Sequence, residues 1–80
     1  MKPFDNITAS SSREDIITEL VKLFATYAKE LLNSGGDFSY MNMFADNFKH
    51  TILKQTNLDE FEVFEILNEA CDVSWKSQTE

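Results

Sequence analysis

Ile16-Ile17-Thr18-Glu19-Leu20-Val21-Lys22-Leu23-Phe24-Ala25-Thr26-Tyr27-Ala28-Lys29-Glu30-Leu31-Leu32 is the stretch that decides the fold. Apolar residues at 16, 17, 20, 21, 23, 24, 27, 28, 31 and 32 recur with the 3.6-residue period of an α-helix, leaving Glu19, Lys22, Thr26, Lys29 and Glu30 largely on the other side. The stripe is broad enough to meet two neighbours. Upstream, Ser11 stands three residues before Glu14, the spacing of a capping box, with Ser12 as the other candidate cap. Glu14 and Asp15 fall in the first turn, where the helix dipole favours carboxylates. Downstream, Asn33-Ser34-Gly35-Gly36 stops the helix, because glycine adopts the left-handed conformation past a last turn without a Cβ clash. The pattern predicts a helix over about 13–33, ~31 Å long at 1.5 Å per residue.

A second helix is expected over 40–54, capped by Asp37 or Ser39. Its apolar set is Tyr40, Met41, Phe44, Ala45, Phe48, Ile52 and Leu53, with Asn42, Asp46, Asn47, Lys49, His50 and Lys54 outside. The polar connection 55–58 leads to a third helix over 59–76. Asp59 is its better cap, because Leu58 can then staple onto Val63. Phe61, Val63, Phe64, Ile66, Leu67, Ala70, Cys71 and Trp75 form its apolar face. Strand alternation is brief and fits better within the helical repeats, and no heptad persists beyond three turns. The expected architecture is all-α: a small three-helix bundle over residues 12–80 as a single domain, preceded by a flexible tail over 1–11 onto which Phe4 or Ile7 can tuck. The core should contain Leu20, Phe24, Tyr27, Leu31, Phe44, Phe48, Phe64, Leu67 and Cys71.

Eighty residues hold one small domain, and 42% hydrophobic residues with only 2 Gly and 1 Pro argue for a folded chain. The core is thin for such a length, so a partner or a second copy is expected to add stability. Cys71 is the only cysteine, which excludes an intramolecular disulfide. With no apolar leader or membrane-length run, the expectation is a cytoplasmic chain, and the sequon Asn6-Ile7-Thr8 is read as chance. Fourteen acidic against seven basic residues give a formal charge of −7, which repels phosphate and anionic lipid and argues against direct binding to nucleic acid or membrane. A helix-turn-helix reading fails on the same ground, since the third helix would press its acids on phosphate.

That helix carries Asp59, Glu60, Glu62, Glu65, Glu69 and Asp72 against Lys76 alone. Glu62, Glu65, Glu69 and Asp72 follow one another at helical spacing and form a stripe, whose mutual repulsion costs a few tenths of a kcal/mol per pair. Three roles are open to it: a solvated face, internal pairing with Lys49, His50 and Lys54, or a face for a basic partner. As a mimic of duplex DNA it is sparse, for its ~15 Å would carry about nine charges in DNA.

Chemistry is harder to find. His50 lacks companions at metal-ligand spacing, Cys71 sits on an apolar face beside Glu69 and Asp72, and Gly35-Gly36 lacks the Lys-Ser/Thr of a phosphate loop. No calcium loop is present, and paired carboxylates need a pocket that three short helices hardly provide. No enzyme, metal or cofactor is expected. Phe38, Tyr40, Met41, Met43, Phe44 and Phe48 crowd one short segment, more apolar surface than a small bundle readily buries.

The expected function is therefore that of a small acidic interaction protein, an inhibitor or regulator that covers a basic surface of a larger protein. In size and composition it looks like those that phages and mobile elements encode against host machinery. Glu62, Glu65, Glu69, Asp72, Phe38, Tyr40 and Met43 are the expected contact residues. The alternatives are an obligate helical homodimer or structural subunit, and a nucleic-acid-mimicking inhibitor.

Overall fold

The computed structural model describes residues 7–80, which form four helices: α1 (Arg13–Ser34), α2 (Ser39–Asp46), α3 (Lys49–Gln55) and α4 (Glu60–Thr79). The fold is all-α, with no strand among the described residues. Ser12, not Ser11, caps α1. Its hydroxyl accepts the Asp15 N–H at 3.1 Å, and the Asp15 carboxylate accepts the Ser12 N–H at 3.4 Å, a capping box with aspartate in the return position. Ser11 is used one turn earlier, its hydroxyl accepting the Thr8 N–H. At the far end Gly35 has φ +82°, and the Gly36 N–H reaches back to the Leu31 carbonyl at 2.7 Å, closing α1 as its glycines predict.

The single helix expected over 40–54 is two. Between α2 and α3 the Asn47 and Phe48 N–H groups bond to the carbonyls of Phe44 and Ala45, three residues back instead of four. Asp46-Asn47 supplies the cause, since these side chains favour turns over helix interiors. The tightening also brings the Phe48 ring 5.9 Å from Phe24 and 5.1 Å from Phe44, with Tyr27 stacked on Phe44 at 4.0 Å. Ala45, Phe48 and Ile52 keep helical spacing across the break, so the apolar pattern conceals it.

Asp59 caps α4, accepting the Glu62 N–H at 2.8 Å, and Leu58 and Val63 both join the core. The helix continues to Thr79, beyond the expected 76. There the Ser77 and Thr79 hydroxyls donate to the carbonyls of Ser74 and Trp75, a polar last turn that apolar periodicity does not register.

The most extensive helix interface is between α1 and α4. From α1 come Ile16, Leu20, Phe24, Ala28 and Leu31, and from α4 Val63, Ile66, Leu67, Ala70, Cys71 and Ser74; Met41 and Ile52 close the core from α2 and α3. Each large side chain buried in this way contributes ~1.5–3 kcal/mol. Of the expected core residues, Leu20, Phe24, Leu31, Leu67 and Cys71 are buried, while Tyr27, Phe44 and Phe48 are half-buried. Phe64 is not a core residue: it is 56% exposed, because the buried line of α4 runs through its smaller neighbour Val63. Ile7, one of the two tail residues able to tuck onto the core, is buried, and the Gln55 side-chain amide donates to its carbonyl at 2.8 Å. Phe4 and Asn6 lie outside the described residues.

Candidate functional site

The outer face of α4 and its border with α2 hold the surface that folding does not explain. α2 runs antiparallel along α4. Phe38, just before α2, meets Trp75 edge-on at 5.7 Å; the Met41 carbonyl accepts the Cys71 thiol at 3.5 Å; and Ala45 lies opposite Leu67. Two open depressions lie between these helices. One, of about 340 Å³, is lined by Met43, Ala45, Phe64 and Leu67 together with Asn42, Asp46 and Asn68. The other, of about 380 Å³, is lined by Phe38, Asn42, Asn68, Glu69 and Asp72. Asn42 and Asn68 border both, so the two form one trough with an apolar end and an acidic end.

All four carboxylates of the α4 stripe are exposed. Glu69 pairs with Arg13 at 3.3 Å and Asp72 with Lys76 at 3.7 Å, with all four side chains about half exposed or more. Lys49, His50 and Lys54, the candidates for internal pairing, make no ion pair with the stripe among the described residues. Exposed pairs of this kind contribute ~0.2–1 kcal/mol and exchange readily with other partners. Glu62 and Glu65 have no ion pair among the described residues, and they alternate with the exposed rings of Phe61 (69%) and Phe64.

Of the seven expected contact residues, Phe38, Met43, Glu69 and Asp72 line the trough. Glu62 and Glu65 stand on the α4 face beside it, and Tyr40 is exposed on α2 outside the lining. Phe38 contributes only in part, being half-buried against Trp75. Phe61, Phe64, Asn42, Asn68, Asp46 and Arg13 were not anticipated. A signal for the two rings exists in the sequence: α4 has more apolar residues than one helix face can bury, and Phe61 and Phe64 lie off the line Val63, Leu67, Ala70, Ser74.

Cys71 is fully buried, and burial first, then the negative charges of Asp72 and Asp46, push its thiol up to about 11. At neutral pH it is a protonated packing residue that donates to Met41. Ser74, one turn further, is fully buried and its hydroxyl finds no hydrogen-bond partner among the described residues. Among the described residues no three His, Cys, Asp or Glu side chains group to hold a metal ion, and no helix is long and apolar enough to cross a membrane. No protein-family model, curated protein or solved structure matches this chain.

Proposed function

We propose that this chain is a non-catalytic interaction module of the cytoplasm, an inhibitor or regulator that covers a basic surface of a larger protein with α4. The observation that carries the reading is the alternation on that helix of exposed Phe61 and Phe64 with the carboxylates Glu62 and Glu65, which make no ion pair among the described residues. Glu62 in the first turn of α4 is favoured by the helix dipole, but the rings and Glu65 gain little from folding. Two phenylalanine rings left largely in water forgo much of the ~1.5–3 kcal/mol each would gain by burial, and like charges on one helix face repel. Together they have the anatomy of an interface, apolar anchors within a charged rim that selects the sign of the partner. Regulation by occlusion follows from size: a domain of 80 residues can mask a groove or helix on a larger protein without supplying chemistry. The lone buried thiol suits a reducing compartment.

Imitation of duplex DNA is the weaker reading, because Arg13 and Lys76 already offset two of the four carboxylates. Self-association has the exposed rings and Met43 in its favour and a charge of −7 per copy against it. Retention of lysate proteins on the immobilised chain tests the proposal. A specific partner should elute as salt is raised and be lost by the variant Glu62→Gln/Glu65→Gln/Glu69→Gln/Asp72→Asn, which keeps shape while removing charge. Equal retention by that variant at low and high salt refutes it.

A further inference from the structure

The geometry points to the α2–α4 trough as the seat of a basic amphipathic helix, held by an apolar side chain at the Met43–Phe64 end and by Lys or Arg at the Glu69–Asp72 end. This rests on the reading of the chain as a binder of basic protein surfaces and names the segment that it would grip. The trough lies between two antiparallel helices, and a third helix fits the valley between such a pair as in other helix-in-groove complexes. α2 has 8 residues, which sets a length of ~12 Å, or about two turns of an incoming helix. From Phe64 to Asp72 is likewise ~12 Å along α4, so anchor and base on the ligand should stand about two turns apart.

Charge decides the occupant. The charged residues that line the trough, Asp46, Glu69 and Asp72, are all acidic, and a second copy of a chain with net charge −7 would meet them with repulsion. Arg13 and Lys76 occupy Glu69 and Asp72 through half-exposed contacts that an incoming guanidinium can replace. The apolar end then selects within basic helices: one without a Leu, Met or Phe at the right turn leaves Met43 and Phe64 in water.

The probe is an alanine-based helical peptide with Leu at its centre and Arg two turns to either side, titrated into the isotope-labelled full chain at 0.15 M salt. Amide shifts should cluster at Asn42, Asn68 and Asp72. Asn68→Arg, at the exposed middle of the trough, should weaken binding at least tenfold, whereas Gln78→Arg, the same added charge near the end of α4, should not. Peptides with Glu for Arg, or Ala for Leu, should bind at least tenfold more weakly than the probe. Shifts centred on Glu62 and Glu65 and indifferent to Asn68→Arg overturn the trough while leaving the acidic-face reading intact. Equal binding of basic and acidic peptides, or no shift at millimolar peptide, also overturns it. Shifts at the trough that grow with protein concentration without peptide assign it to a second copy and overturn the basic occupant. The acidic-face reading is judged separately by lysate retention, which does not depend on the probe.

Discussion

Removing the rings of Phe24 and Phe64 in turn separates a core residue from an interface residue. Phe24 is fully buried, with the rings of Phe44 and Phe48 at 5.5 and 5.9 Å. Truncating such a residue costs ~3–5 kcal/mol through lost transfer energy and the cavity left behind. A domain of 80 residues has roughly 4–12 kcal/mol of total stability at typical per-residue values, so Phe24→Ala should unfold much of the population or bring it to the edge. Phe64 is 56% exposed, so less than half its surface is lost from the folded state, and the same change should cost no more than about 1 kcal/mol. Urea titration followed by far-UV circular dichroism reads the difference. With a slope near ~1 kcal/mol per molar for a small domain, the Phe24→Ala midpoint should fall by about 3 M or more, and that of Phe64→Ala by about 1 M or less. If Phe64→Ala is as destabilising as Phe24→Ala, Phe64 belongs to the core, the register of α4 is wrong, and the trough loses its apolar end.

Three further outcomes follow from the same contacts. Ser74→Ala removes a buried hydroxyl without a partner among the described residues and introduces a better helix former, so the urea midpoint should rise by about 1–2 M, equivalent to ~1–2 kcal/mol; a fall shows that the hydroxyl is bonded in solution. Cys71 has a folded pKa of about 11 against an ordinary thiol value of 9.0, so above pH 9 the unfolded chain releases its proton first. Its contribution is intact below pH 9 and is lost between 9 and 11 at up to ~1.4 kcal/mol per pH unit; Cys71→Ala should flatten that part of the stability profile. Gly35→Ala places a side chain at φ +82° and should cost about 1 kcal/mol in thermal or urea melts, with no change there if α1 ends differently.

Where the sequence was a reliable guide, local chemistry and tertiary packing agreed. The α1 stripe, its glycine stop and the Asp59 cap are all set by residues within a turn or two of each other. It misled where two structures satisfy the same pattern. An apolar period of three to four residues survives a change to three-residue bonding, so Asn47-Phe48 read as helix interior. Ile7 has no periodic neighbours, so the sequence offers it only beside Phe4 as a residue able to tuck, and the core and the distant Gln55 fix its place. For the site, the acidic stripe was legible because charge needs no fold to be counted. The trough was not, since it depends on Val63 turning inward and Phe64 outward, and in the sequence both stand on the apolar face of the helix.

Trp75 gives the molecule an optical reporter. It is the sole tryptophan, half-buried, with the edge of Phe38 against it at 5.7 Å, and Phe38 in turn lines the acidic end of the trough. A side chain pressing on Phe38 from outside therefore changes the solvation of the indole without touching it. Emission from the unmodified protein registers occupancy at that end of the trough, while the apolar end, lined by Met43 and Phe64, stays optically silent because no indole stands beside it. Ligands gripped by their bases and ligands gripped by their apolar anchors thus leave different spectral signatures on the same chain.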